Sequence, residues 1–314
     1  LSGDLIVLGI GGKIGPTLAR MARRASDAAG VPRRILGVSR FSSPEHRQRL
    51  HQHGIETIAC DLLDRSCLDA LPDVPNVLYL AARKFGSTGQ EELTWAMNVY
   101  LPGMVAQKFR NSRIVAYSSG NVYAMVPPEQ GGSVETDEPS PVGDYAMSVL
   151  GRERIFTWLS KSQGTPLVLL RLNYATEMRY GVLVDIGQQV LAGRAIDLSM
   201  GYFNAIWQGD SSAMTLCALE QASSPPLVLN VAGPEILSVR RVAEQFGELF
   251  GRRPVFTGAE LPTAFLSNAQ LSYRMFGRPR ISAEQMIRWI ADWQLRGGPT
   301  LGKPTHFQTR DGRF

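Results

Sequence analysis

Through the first half of the chain, short apolar runs alternate with longer stretches whose apolar positions recur every three to four residues. Short runs flanked by turn formers read as buried strands, and the longer period reads as helices with one face turned inward. The pattern predicts strands at Leu5–Leu8, Ile35–Val38, Ile55–Ala59, Val77–Leu80, Ile114–Tyr117 and Leu167–Leu170. Helices are expected between them, over 13–29, 45–53, 65–71, 91–110 and 145–163. Such alternation is the mark of a parallel sheet covered on both faces. The first helix should stop where Gly30 can turn left-handed and Pro32 cannot continue it.

After about residue 172 the rhythm loosens. Helices over 182–193, 210–223, 238–251 and 283–295, with one strand at Val228–Val231, are separated by irregular stretches. This reads as a smaller domain (173–314) built onto the carboxyl edge of a sheet domain (1–172), with some segments returning to the sheet. Prolines 127, 128, 139 and 141 with Gly131 and Gly132 make 125–143 a long loop over that edge. From Gly297 the chain is polar and punctuated by Gly and Pro, which suits a tail or an arm laid on a neighbour.

With 314 residues, 44% hydrophobic and 19% charged, the chain can bury a large core and is neither disordered nor fibrous. Its 33 basic against 28 acidic residues leave +5, but the excess is scattered, as at Arg20, Arg23, Arg24, Arg33 and Arg34. No basic arm for nucleic acid results. No apolar stretch approaches the ~18 residues that cross a bilayer, and Leu5–Ile10 is too short and badly flanked for a signal peptide. A soluble, cytoplasmic protein is expected, although Leu1 in place of Met leaves room for residues upstream. Cys60, Cys67 and Cys217 lack metal-ligand spacing and fit reduced, mostly buried thiols. His46, His51 and His53 fit a solvated helix face, so no metal site is expected.

The first predicted strand runs into Gly9-Ile10-Gly11-Gly12-Lys13-Ile14-Gly15 and then a helix. Glycines at 9, 12 and 15 serve a sharp turn, a close approach to a pyrophosphate and tight packing of helix on strand. The helix amino terminus adds unpaired N–H groups and partial positive charge. The combination predicts a dinucleotide on a doubly wound α/β sheet of the Rossmann type. After the second strand, where a carboxylate would bind the ribose of NAD, stand Ser39 and Arg40. With Lys13 these can bind a 2'-phosphate, so NADP is slightly favoured over NAD; Arg40 stacked on adenine or in water would allow either. Asp61 and Leu62 can take the adenine amino group and ring, or Asp61 can cap the helix near Arg65. Ala81 and Ala82 are small, as a cofactor crossing the sheet edge requires.

The ordered set of Gly9-x-x-Gly12-x-x-Gly15, Asp61-Leu62, Leu80-Ala81-Ala82, Asn98, Ser118-Ser119-Gly120-Asn121-Val122-Tyr123, Tyr145-x-x-Ser148 with Glu153, Arg171-Leu172-Asn173 and Asn230-Val231-Ala232-Gly233-Pro234-Glu235 spans most of the chain. It resembles the extended short-chain dehydrogenase/reductases, the NAD-dependent epimerase/dehydratase family. The resemblance implies an NAD(P)-binding oxidoreductase or epimerase acting on a hydroxyl-bearing sugar derivative, closed over by the carboxyl-terminal domain. It also implies that Ser119 binds the substrate oxygen and that Tyr145 moves the proton as hydride passes to or from nicotinamide. Asn98 matches an asparagine that holds the active-site backbone, and Asp210 an aspartate at the start of a helix. A homodimer through the helices near 91–110 and 145–163 is the family expectation.

In the family a lysine follows the tyrosine by four residues, on the same helix face. Here that position is Val149. Without the ammonium, Tyr145 stays protonated at neutral pH, and each lost pKa unit costs about tenfold in phenolate. Another cation can substitute, from Arg152 or from Lys84; Tyr145 can serve only as an acid or binding group; or the protein binds a dinucleotide without turnover, as a sensor or scaffold. Tyr123 and Asn121 are expected to line the pocket or the loop base. Substrate contacts are expected from 83–89, 123–143 and 173–179, and Arg179 and Arg194 suit an anionic group.

Overall fold

A computed structural model of the chain describes residues 1–84, 86 and 88–313. Phe85 and Ser87, inside one expected substrate loop, lie outside the described residues. In chain order the elements are β1 (Leu5–Leu8), α1 (Gly15–Ala28), β2 (Ile35–Ser39), α2 (Pro44–Gln52), β3 (Glu56–Ala59), α3 (Arg65–Asp69), β4 (Asn76–Tyr79), α4 (Glu91–Trp95), α5 (Leu101–Lys108), β5 (Arg113–Ser119), α6 (Gly143–Gln163) and β6 (Leu167–Leu172). There follow β7 (Ala175–Thr176), α7 (Val182–Leu191), β8 (Ala195–Asp197), β9 (Tyr202–Phe203), β10 (Ile206–Trp207), α8 (Gln208–Ala218), β11 (Leu227–Val231), β12 (Leu237–Ser238), α9 (Val239–Phe250), β13 (Val255–Thr257), α10 (Gln270–Phe276) and α11 (Ala283–Leu295).

Seven strands form one parallel sheet in the order β11-β6-β5-β4-β1-β2-β3. This is the expected Rossmann-type α/β sheet, and a strand from the second half closes its edge. Side chains alternate between the faces of a strand. Leu5, Val7, Val115 and Val168 accordingly pack with Leu18 of α1 and Met214 of α8. Ile6, Leu8, Ile114 and Ala116 pack on the other side with Leu101, Val105 and Phe156. A third core, around Val182, Phe203, Phe246, Ile290 and Phe307, belongs to the second half. Strand order reverses between β1 and β4, which leaves a crevice at their carboxyl ends.

Several expectations need correction. The helix over 91–110 is interrupted by a wider π turn at Ala96–Tyr100. Helix α8 starts at Gln208, with Trp207 at the cap, so Asp210 does not cap it; its Oδ2 accepts from the Arg280 and Ile281 amides, each at 3.1 Å. Asp64, not Asp61, caps α3. The 125–143 loop is tied to the second half by bridges Val126–Ala264 and Ser133–Ser267. Of the thiols only Cys60 is buried, and Cys217 is exposed.

The carboxyl-terminal segment lies on its own chain. Phe307 is buried against Phe203, Asp185 accepts from Thr305 N and Oγ1 at 2.7 and 2.6 Å, and Arg310 donates to the Thr263 carbonyl at 2.7 Å.

Candidate active site

The chain leaves β1 through Gly9 at φ +86°, where a Cβ would lie 2.7 Å from the Ala81 nitrogen. At Gly15 a Cβ would lie 2.4 Å from the Ile10 carbonyl oxygen. Only glycine permits both the turn and the approach. Above the turn opens a cleft of about 290 Å³, lined at one end by Gly9 and 12–15 and at the other by Ser118, Ser119, Asn121 and Tyr145. A Cβ at Gly12 would meet nothing nearer than the Gly9 oxygen at 3.5 Å, so the missing side chain leaves a shallow cradle. Helix α1 starts there with neither a side-chain cap nor an acidic residue in its first turn, which leaves its N–H groups to an anion. The turn therefore fits a dinucleotide diphosphate.

The other nucleotide candidates are spread along the sheet edge. Leu80 and Ala82 line the cleft, while Ala81 is buried behind Gly9. Ser39 sits against Gly11, Leu62 is buried, and the exposed Arg40 guanidinium lies 4.0 Å from the Asp61 carboxylate. Lys13 does not join Ser39 and Arg40. Its Nζ lies 3.4 Å from the Tyr180 ring centre, inside the cleft. Burial, with Lys84 and Lys303 nearby, pushes its pKa down to about 7.

Ser119 closes β5, whose last two residues continue the ladder opposite Arg171 and Leu172. Its Oγ donates to Asn121 Oδ1 at 2.9 Å, accepts from the Asn121 amide at 3.2 Å and hydrogen-bonds to Tyr145. Tyr145, in the first turn of α6, is only 8% exposed. Burial raises the pKa of its phenol, against the opposing pull of the Arg152 charge and the Ser119 hydrogen bond. Val149 is fully buried in a small apolar cluster with Val122, Tyr123 and Tyr145.

Two cations flank this pair. Arg152 is buried, with Nη1 donating to the Tyr117 carbonyl at 2.7 Å and Nη2 to Asn98 Oδ1 at 2.8 Å. It is a fixed charge. Lys84 lines the cleft with its Nζ 5.3 Å from the Tyr145 ring centre, and burial pushes its pKa down to about 8. Asn98 links the two. From the π turn its side chain accepts from the Arg83 amide at 2.9 Å, donates to the Arg83 carbonyl at 2.9 Å and donates to Ser148 Oγ at 3.0 Å. Asn98 thus fixes the backbone just before Lys84.

Near Ser119 and Tyr145, Glu153 and Arg171 form a buried two-pronged ion pair, at 2.9 and 2.7 Å, and Ser118 Oγ donates to the same carboxylate. Arg171 also donates to Tyr123 Oη at 2.7 Å, and Tyr123 to Asn230 Oδ1 at 2.8 Å. Tyr123 is thus a strut between strands and does not line the cleft. The second half supplies wall residues that the motifs left unnamed: Tyr180, Gly181, Val182, Gln208 and Thr305. Asn173 and Tyr174 line it as expected, whereas neither Arg179, paired with Glu177, nor Arg194 does.

A search of curated protein sequences found no match. Among solved structures, UDP-glucose 4-epimerase of Thermotoga maritima, determined with UDP-glucose, superposes with a TM-score of 0.76 at 16% identity, covering 94% of this chain and 99% of its own. UDP-glucuronic acid 4-epimerase of Bacillus cereus, in complex with UDP-glucuronic acid and NAD, gives 0.76 at 17%, covering 93% and 99%. dTDP-glucose 4,6-dehydratase of Bacillus anthracis, in complex with NAD, gives 0.79 at 16%, covering 94% and 97%. At these identities the likeness speaks for the fold. The sequence model described as the NAD dependent epimerase/dehydratase family matches residues 5–175, from β1 through β6 and into β7. Strand order, glycine turn and that match together place this chain in the NAD-dependent epimerase/dehydratase family.

Proposed function

We propose that the chain binds NADP or NAD on the Gly9–Gly15 turn and acts as an oxidoreductase or epimerase on a hydroxyl-bearing sugar derivative. The observation that carries this reading is the Ser119–Tyr145 hydrogen bond inside the cleft that the turn opens. A bound nicotinamide would supply the hydride acceptor or donor. Ser119 Oγ orients the substrate oxygen, and Tyr145 Oη exchanges its proton. With its pKa raised by burial the phenol is protonated at neutral pH, so it is ready as an acid. Lys84 supplies the nearby titrating ammonium that Val149 does not, and Arg152 adds a charge that cannot relay protons. Ser39 and Arg40 face the adenosine ribose and favour NADP slightly, with Asp61 and Leu62 at the adenine and Ala81 and Ala82 beneath the cofactor.

Nucleotide sugars are the substrate class suggested by the ligands of the superposed epimerases. In this reading residues 1–172 hold the nucleotide, and the core of 173–314 forms the substrate domain. The protein works as a homodimer in solution, without membrane or nucleic acid. The experiment is to mix protein, NAD or NADP and a panel of nucleotide sugars, following reduced-cofactor absorbance, product formation and thermal shift. Turnover abolished by Tyr145→Phe supports the enzyme; absence of cofactor binding overturns the reading.

A second reading, a non-catalytic dinucleotide sensor or scaffold, is favoured by Val149, which packs as an ordinary core residue. Cofactor stabilisation without turnover across the panel decides for it.

A further inference from the structure

Gln208 opens α8 directly after β10, and β10 pairs with β7 so that Trp207 lies opposite Thr176. Strand β7 follows closely on the end of β6, where Leu172 lies opposite Ser119. The backbone thus brings Gln208 into the cleft on the side of the reacting pair. The residue is only 2% exposed, and its Nε2 finds no acceptor among the described residues. Thr176 Oγ1 and Ser212 Oγ, one on the strand paired with β10 and the other a turn further along α8, are buried and likewise find no partner among the described residues. Native folds pair nearly all such groups, because an unmatched buried donor forfeits its hydration for nothing. A ligand that brings its own acceptor is the natural complement.

We propose that Gln208 recognises the carboxamide of the nicotinamide ring, its Nε2 donating to the carboxamide oxygen. This rests on the dinucleotide reading above. A primary amide offers both a donor and an acceptor, so another primary amide matches it group for group. Ile14, Leu172 and Ala175 line the same cleft and pack on the sheet core, offering an apolar bed for a flat ring. On such a bed one polar handle fixes which way the ring faces. Ring orientation decides which face presents its hydride to a substrate held at Ser119 and Tyr145, so Gln208 is a positioning residue for the reaction.

Calorimetric titration tests this with three ligands: NAD, its analogue with an unsubstituted pyridinium in place of nicotinamide, and ADP-ribose. The wild-type protein should bind NAD about tenfold more tightly than the pyridinium analogue. Gln208→Leu should erase that difference by weakening NAD about tenfold, with ADP-ribose bound as before. Equal losses for NAD and ADP-ribose would show Gln208 to be a structural support and overturn the proposal. So would a wild-type protein that does not distinguish NAD from the pyridinium analogue, a result that needs no variant to fold. Wild-type protein that binds none of the three removes the dinucleotide reading itself, and this proposal with it.

Discussion

The ammonium of Lys84 stands 5.3 Å from the centre of the Tyr145 ring, whereas Val149, one helical turn beyond Tyr145 and packed against it, carries no charge. An ammonium delivered by a loop is held by what holds the loop. Here that is Asn98, through both polar groups of Arg83's backbone.

Stability should respond to pH through Lys84. The folded protein sheds this proton at about pH 8, while the unfolded chain does so at the ordinary 10.5. Between those values the unfolded chain binds more protons, so stability rises with pH, and below pH 8 the full penalty of the buried ammonium persists. Lys84→Met should therefore stabilise the apo protein at pH 7, by on the order of 1–2 kcal/mol, with the gain shrinking towards pH 10. Urea denaturation of both proteins at pH 7, 8.5 and 10 checks this, and a pH-independent difference contradicts it. Lys13, whose pKa the Lys84 charge helps to lower, shifts the difference in the same direction, because Lys84→Met relieves that repulsion.

Two glycines of the same turn should fail in different ways. A side chain at Gly12 points into open cleft, so Gly12→Val is expected to leave the melting temperature nearly unchanged while weakening dinucleotide binding about a hundredfold or more. At Gly15 the Cβ collides with the Ile10 backbone, so Gly15→Ala should cost about 1–3 kcal/mol of stability as well. Thermal melts paired with cofactor titrations separate the two.

Breaking the Glu153–Arg171 pair from one side should be severe. Arg171→Met leaves a buried carboxylate uncompensated, at a cost of about 3–5 kcal/mol, whereas Glu153→Leu with Arg171→Met together should cost clearly less than the sum of the single changes. Chemical denaturation of the four proteins of this cycle measures the coupling. Additive losses would mean that the two side chains do not share one site.

Tyr100, at the end of the π turn, and Trp158, on α6, are each 64% exposed, and Tyr100 lines a groove with Trp95, Val99 and Ile155. Large apolar side chains left in water are the composition of a contact surface. A homodimer is expected in sedimentation analysis at micromolar concentration, and Tyr100→Glu with Trp158→Glu should return it to monomer with the far-ultraviolet dichroism unchanged. A wild-type monomer would remove the homodimer from the proposal.

The sheet was legible because its strands are buried on both sides and so carry uninterrupted apolar runs; all four residues of Leu5–Leu8 are fully buried. The reading stopped short at Tyr117 because Ser118 and Ser119 look like a turn, although pairing with β6 and the Glu153 carboxylate keep them in the ladder. Residues 91–110 looked like one helix because a π turn preserves apolar spacing closely enough to escape notice. Ser119 and Tyr145 could be found from their motifs. Gln208 and Thr305 could not, since only contacts across long stretches of chain bring them to the cleft, and helix Gln270–Phe276 is too short to show a period. The carboxyl-terminal segment was illegible for the same reason: its anchors, Thr305, Phe307 and Arg310, are isolated side chains whose partners are Asp185, Phe203 and Thr263.

That segment also touches the helix bearing the phenol. Gly312 runs so close to Gly143 that a Cβ on Gly312 would lie 2.2 Å from the Val142 carbonyl oxygen, at the very start of α6. The last stretch of the described chain thus acts as a doorstop for the turn that carries Tyr145. Bulky labels or fusions placed beside Gly312 would be felt two residues from the phenol, far from where a linear map of the protein would place them.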